Sequence, residues 1–235
     1  MRKQVALVTG AAGGIGFEMA REFAREGASV IVSDLRPEAC EKAASKLAEE
    51  GFDAAAIPYD VTKEAQVADT VNVIQKQYGR LDILVNNAGI QHVAPIEEFP
   101  TETFEQLIKV MLTAPFIAMK HVFPIMKKQQ FGRIINIASV NGLVGFAGKS
   151  AYNSAKHGVI GLTKVGALEA RPTALQSMRS ARVMSIPSLY AISLAIYRKR
   201  EMSLTTLYLN KSFFRLCRKS DCFPSRKLRI MPCFW

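Results

Sequence analysis

The first 170 residues predict an α/β fold, a doubly wound parallel sheet, on three observations. Short runs at Gln4–Thr9, Ser29–Asp34, Leu81–Val85 and Arg133–Ala138 are nearly all apolar, as strands buried on both faces must be. Segments of helical spacing separate them, the alternation that builds parallel strands joined by crossover helices. A glycine-rich turn, Gly10 to Gly16, follows the first run and opens the first helical segment. Right-handed crossovers then make the sheet Rossmann-like.

The elements follow in order. After the strand at 4–9, Ile15, Met19 and Phe23 share a helical face, and Gly27 is placed to stop that helix. The strand at 29–34 leads into a helix from Pro37 to about residue 50. Asp53–Tyr59 reads as a weaker strand that Pro58 ends. A helix over 63–79, the strand at 81–85, a long helix over 101–128 and the strand at 133–138 come next, and a last helix begins near Ala151. Beyond Ala170 the rhythm fails. Ser185–Ile196 is apolar enough for a helix or a strand, but no strand–turn–helix unit stands out there.

Charge divides the chain at the same place. The formal net charge is +11, yet residues 1–170 hold 18 Lys+Arg against 18 Asp+Glu, and residues 171–235 hold 13 against 2. Three of the four cysteines, Cys217, Cys222 and Cys233, are also in the last part, without zinc-ligand spacing, and Cys40 stands alone in the first. Basic stretches such as Tyr197–Arg200 and Arg215–Lys219 read as solvated surface rather than a nucleic-acid patch. The start is too short and polar for a signal peptide, and no apolar run reaches the roughly 18 residues of a membrane span. A cytoplasmic protein is expected, with no metal site and no membrane partner.

The glycine turn lets backbone N–H groups and a helix N-terminus approach a pyrophosphate; Gly10, Gly14 and Gly16 stand where bulk would block that approach. Taken alone, such a turn could also be a packing turn. Asp34 closes the second strand, 18 residues past Gly16, where an acid hydrogen-bonds an adenosine ribose and repels a 2′-phosphate, so NAD is favoured over NADP. An aspartate there can also serve as a helix N-cap, and Arg36 nearby weakens the exclusion of a 2′-phosphate.

Tyr152 and Lys156 lie four apart at a helix start, hence on one face. A lysine ammonium beside a tyrosine favours the phenolate and makes a general acid/base usable near neutral pH. Ser139 ends the preceding strand at the sheet edge where doubly wound folds bind ligands, and its hydroxyl could hold a substrate oxygen. A lone Tyr–Lys pair could be an exposed helix pair; three such groups after a nucleotide loop form a catalytic constellation.

Thr9-Gly10-Ala11-Ala12-Gly13-Gly14-Ile15-Gly16, Asp60-Val61, Asn86-Asn87-Ala88-Gly89, Ser139 and Tyr152-x-x-x-Lys156 together resemble the short-chain dehydrogenase/reductase family in order and spacing, over residues 4–170. The resemblance implies that Asp60 and Val61 flank an adenine, and that Asn86, Asn87, Ala88 and Gly89 line the cofactor or support its strand. Gly14, Ile15 and Gly16 would meet the pyrophosphate, and Lys156 would also hold the nicotinamide ribose. Many members carry an Asn for a proton-relay water in the long helix; that position holds Met111 here. Within the family, Ile90-Gln91-His92 and Lys149 are similar to the dehydrogenases of D-3-hydroxybutyrate, in which Gln and Lys at these places bind the substrate carboxylate. Gln91, Ser139, Lys149 and Tyr152 would then meet a small hydroxy acid. The alternative is that Gln91 and Lys149 are ordinary rim residues. A histidine often found two after the catalytic serine is Asn141 here. A reductase of 3-oxoacyl thioesters, a sugar or polyol dehydrogenase, and a non-catalytic nucleotide-binding protein with a basic tail are the other readings. Family members are usually tetramers.

Family members continue from the Tyr–Lys helix into a strand of the type I-T-V-N-x-x-x-P-G, which residues 171–235 do not contain. Thr173–Ile186, written as codons and read two nucleotides later, can spell G-I-T-V-N-A-L-C-P-G-Y-V-D with suitable synonymous third bases. The tail therefore reads as a change of frame within one domain: 1–170 as the NAD-binding and catalytic unit, 171–235 as an aberrant basic tail. The family's sixth and seventh strands and substrate lid are expected to be missing. That would leave the fifth strand an exposed apolar edge, and the chain as written unstable or inactive.

Overall fold

The computed structural model describes residues 3–170 in full and the backbone of 191–198 and 201–208. β1 (Val5–Thr9), β2 (Ser29–Ser33), β3 (Ala54–Ala56), β4 (Ile83–Asn86) and β5 (Gly132–Ile137) form a parallel sheet in the order β3-β2-β1-β4-β5. α1 (Gly14–Arg25), α2 (Pro37–Glu49), α3 (Glu64–Tyr78), α4 (Thr101–Ile108), α5 (Ala114–Gln129) and α6 (Ser150–Glu169) alternate with the strands. The strand order reverses between β1 and β4, so the loops after those two strands diverge and open a crevice at their carboxyl ends.

Alternate residues of each strand feed opposite layers. Val8, Val32, Val85 and Ile135 pack with Met19 and Phe23 of α1 and Leu47 of α2. Leu7, Ile31, Leu84 and Ile134 pack with Val71 and Ile74 of α3 and with Val122 and Met126 of α5. At the end of the sheet where β1 and β4 begin, the fully buried Asp82 carboxylate takes a two-pronged bond from Arg80 (2.6 and 2.7 Å) and a third from Val5 N–H (2.9 Å). Burial of that charge is tolerable because every bond to it is charge-assisted.

The long helix foreseen over 101–128 is a helical rod in three parts, because a π-helical stretch, Lys109–Thr113, joins α4 to α5. Pro115 lacks an N–H, and its ring crowds the carbonyl four residues back, that of Met111, so the turn before it widens. By length and mean hydropathy (1.3) the rod is apolar enough to cross a membrane. Here it packs on α3 and α6 and on the sheet.

One expectation is corrected at the edge of the sheet. β5 is not bare: β6 (Ala191–Arg198) pairs with it antiparallel, and β7 (Glu201–Tyr208) pairs antiparallel with β6. Two strands beyond β5 are present, and they run as a hairpin rather than as further parallel units. The physical reason lies in the backbone: an open strand edge offers unpaired N–H and C=O groups to any extended neighbour, and antiparallel partners need only a short connection. The recoded stretch Thr173–Ile186, Arg215–Lys219 and Cys217, Cys222 and Cys233 lie outside the described residues.

Candidate functional site

The crevice begins at the glycine turn. Gly10 and Gly14 adopt left-handed backbone (φ 62° and 56°). A Cβ on Gly10 would lie 2.8 Å from Ala88 Cα, and one on Gly16 would lie 2.3 Å from the Gly10 carbonyl oxygen, whereas one on Gly14 would meet nothing within 4 Å. Gly10 and Gly16 thus let the turn, the start of α1 and the end of β4 close on one another. Gly14 alone faces open space, which refines the expectation that all three clear a ligand's path. Gly13, ahead of α1, has no side chain to cap the first-turn N–H groups, and no acid stands in that turn. Such a helix start is complementary to an anion.

Asn87 holds this arrangement together. Its Nδ2 donates to the carbonyls of Thr9 and Gly10 (both 3.0 Å), and the Thr9 hydroxyl accepts from the N–H groups of Asn87 (3.0 Å) and Ala88 (3.2 Å). The structure therefore places the Asn87 side chain against the protein backbone, while Ala88 and Gly89 line the crevice. Deeper, Asn86 donates to Asn136 of β5 (2.7 Å), which donates to Thr163 of α6 (2.9 Å), a buried polar chain joining β4, β5 and α6.

A cleft of about 690 Å³ extends beside the turn, bounded by Asp34, Asp60, Val61, Ala88 and Gly89. Asp34 accepts from Ala12 N–H of the turn (3.3 Å) and from the Arg36 side chain (3.4 Å). Arg36 is largely exposed and Asp34 is not. Asp60 is held by Thr62, which donates both its N–H (2.9 Å) and its hydroxyl (2.7 Å).

The reactive groups follow β5 and open α6. Lys156 is 5% exposed; its Nζ donates to the carbonyl of Ile137 at the end of β5 (2.6 Å) and stands 5.5 Å from the centre of the Tyr152 ring. Burial brings its pKa down to about 8. At pH 7 it remains an ammonium against the Tyr152 ring. Ser139, buried after β5, donates to Asn141 Oδ1 (3.3 Å) and accepts from Asn141 N–H (3.2 Å). Met111 is buried with Leu107, Ala151 and Ala155, with Tyr152 packed against the cluster, so an apolar side chain occupies that position of the rod. Ala94 N–H donates to the Gly148 carbonyl (3.0 Å), joining the loop after β4, which carries Gln91, to the loop that carries Lys149. Gln91 is exposed and accepts from His92 N–H (3.1 Å); the Lys149 ammonium lies 5.8 Å over the Phe146 ring.

Of the residues singled out from the sequence, Gly10, Asp34, Asp60, Val61, Asn87, Ala88 and Gly89 line one cleft. Asn136, Thr163 and Asn153 were not foreseen, and Thr9 was read only as the start of the glycine motif. Asn153 donates to the Val144 carbonyl (2.9 Å) and accepts from Asn141 (3.1 Å). Nothing in one sequence marks a polar residue whose role is to bond another polar residue remote in the chain.

A doubly wound sheet with an uncapped glycine-rich helix start, an acid ending β2 and a Ser–Tyr–Lys group is the architecture of a dinucleotide-dependent oxidoreductase fold. The short chain dehydrogenase family model matches residues 4–183, and the chain belongs to that family. The chain is 98% identical over 172 residues to the uncharacterized oxidoreductase YxjF of Bacillus subtilis (strain 168), covering 73% of this chain and 67% of that protein. It is 45% identical over 170 residues to a D-beta-hydroxybutyrate dehydrogenase of Cupriavidus necator, covering 72% and 66%. An NAD+-bound xylitol dehydrogenase structure superposes with a TM-score of 0.69 at 38% identity, over 71% of this chain and 65% of that one. The matches span about two thirds of the length of these relatives.

Proposed function

We propose that residues 1–170 form the NAD-binding and catalytic part of an oxidoreductase that interconverts 3-hydroxybutyrate and acetoacetate. The observation that carries the reaction type is the buried Lys156 ammonium, fixed by the Ile137 carbonyl and set against the Tyr152 ring. The residues fit a dinucleotide: the start of α1 would hold its pyrophosphate, Asp34 a ribose, and Asp60 and Val61 the adenine side. Asp34 directs the choice to NAD, and its exposed neighbour Arg36 does not reverse it. When bound, a nicotinamide ring exchanges the hydride with the carbinol carbon. Tyr152 takes the substrate hydroxyl proton in oxidation and returns it in reduction. Lys156 stabilises the phenolate, and Ser139 holds the substrate oxygen.

Substrate choice rests on Gln91 and Lys149, carried by two loops that the Ala94–Gly148 bond joins, and on the likeness to dehydrogenases of D-beta-hydroxybutyrate. The likeness to a 3-oxoacyl-[acyl-carrier-protein] reductase of Thermotoga maritima and a 5-keto-D-gluconate 5-reductase of Escherichia coli keeps those substrate classes as the second reading. The location proposed is cytoplasmic, the partner a small hydroxy acid, and the family's tetramer is doubtful for this chain. For residues 171–235 we propose a shifted reading frame; the 98% identity over 172 residues agrees with a break near Ala170. The coding DNA tests this: the other frame after codon 170 should run on through a family-like end, and an early stop there would undo the reading.

NADH formation from D-3-hydroxybutyrate by the full chain, and by a version with the frame restored, tests the function. Turnover is expected in the second and little or none in the first. Turnover by the restored protein that survives both Gln91→Ala and Lys149→Ala would remove the carboxylate assignment.

A further inference from the structure

We propose that Asn153 and Asn141 are positioning residues that fix which way the Ser139 hydroxyl points, so that Ser139 enters the site as a hydrogen-bond acceptor. The inference rests on the reading of Ser139 as the group that meets the substrate oxygen.

The argument starts from a group whose role has no alternative. The Val144 carbonyl can only accept, so the end of the Asn153 side chain that faces it at 2.9 Å is the NH₂. The Asn153 oxygen is then the end turned to Asn141 (3.1 Å), which must present its own NH₂. That leaves the Asn141 oxygen facing Ser139 (3.3 Å), and an oxygen there obliges the hydroxyl to donate. Reversing any one amide would set two oxygens or two NH₂ groups against each other, up to and including the Val144 carbonyl. A backbone carbonyl thus sets the polarity of three side chains in series.

The consequence at Ser139 is a count. A hydroxyl has one proton and two lone pairs. The proton goes to Asn141 Oδ1, and one lone pair accepts from Asn141 N–H (3.2 Å). What remains is one lone pair, suited to an O–H donor. The resting site therefore presents an acceptor, and a substrate oxygen, whether of an alcohol whose proton goes to Tyr152 or of a ketone, is held by Ser139 only once the Ser139 proton leaves Asn141. Asn153 follows Tyr152 in the chain, so the same bond that orients Ser139 ties it to the helix carrying the acid/base.

Side-chain amide hydrogen exchange in the ¹⁵N-labelled full chain tests the polarity without turnover. Asn153→Ala is expected to speed exchange of the Asn141 NH₂ about tenfold, through loss of its acceptor. Ser139→Ala is expected to leave that exchange within about twofold, because Ser139 faces the oxygen end. Acceleration by Ser139→Ala as large as that by Asn153→Ala overturns the polarity. In the frame-restored protein, where turnover is expected, Asn153→Ala should lower kcat about tenfold while NAD affinity stays within about twofold. An unchanged kcat removes the positioning role, and a frame-restored protein without turnover removes the catalytic reading while the exchange data still decide the polarity.

Discussion

The five parallel strands and the two antiparallel strands beyond them satisfy the same backbone demand, but only the parallel set builds a site. Each of β1, β4 and β5 delivers its carboxyl end to one edge of the sheet, so the glycine turn, Asn87 and Ser139 arrive together there. β6 runs the other way: Tyr197 stands opposite Gly132 and Ile192 opposite Ile137, so β6 ends and β7 begins at the far edge. Pairing is a backbone property that many sequences supply. A site needs loops of defined sequence at one edge, and crossover units place them there. Covering β5 therefore protects it without replacing what a further parallel unit would bring to the substrate side.

The comparison can be broken most severely at the glycine turn. Gly16→Ala places a methyl 2.3 Å from the Gly10 carbonyl and 2.5 Å from Asn87 Nδ2. Loss of NAD binding by about 100-fold or more is expected, with a lowered urea midpoint, because neither neighbour can give. Isothermal titration with NAD checks it; an affinity within a few-fold of wild type would contradict the packing described.

Leu194→Pro examines the other region. It removes a donor from β6 opposite Ile135 and should lower stability by a few ladder bonds of about 1 kcal/mol each, with aggregation as β5 opens. NAD affinity of the remaining folded chain should hold, since the cleft lies at the carboxyl ends of β1, β2 and β4, away from β6. Light scattering and denaturation curves unchanged from wild type would mean that the hairpin contributes nothing to the edge.

A third test concerns Lys156. Burial lowers its pKa from 10.5 to about 8, so between those values the unfolded chain binds more protons than the folded one. Unfolding free energy should rise with pH through that window, by up to about 3 kcal/mol, and be insensitive to this group below pH 8. Urea midpoints from pH 7 to pH 10 give the slope, and Lys156→Met should flatten it. The smallest effect is expected for Gly14→Ala, which adds a methyl in open space but keeps φ at 56°. A destabilisation of about 1 kcal/mol is anticipated there, well short of that from Gly16→Ala.

Much of the parallel half was legible because its signals are local. Apolar runs such as Val5–Thr9 and Ile83–Asn86 bounded by turns gave the strands, and the spacing of Met19 and Phe23 gave α1. The glycine turn, Asp34 and Tyr152–Lys156 could be read because each pattern lies within one strand–turn–helix unit or one helix turn. The hairpin could not: Ala191–Tyr208 has no periodicity that separates a strand from a helix, and its pairing depends on an edge about sixty residues earlier.

By itself the sequence determined the order of the elements over residues 4–170 and the family to which they belong, since near-neighbour patterns encode both. Tertiary structure alone decided that Asn87 fastens the turn to β4 and that Lys156 is dry enough to sit near a pKa of 8. It alone decided that Val144, Asn153 and Asn141 aim the Ser139 hydroxyl. Each of these depends on burial or on the direction of a hydrogen bond between groups apart in the chain, and neither quantity exists until the chain has folded.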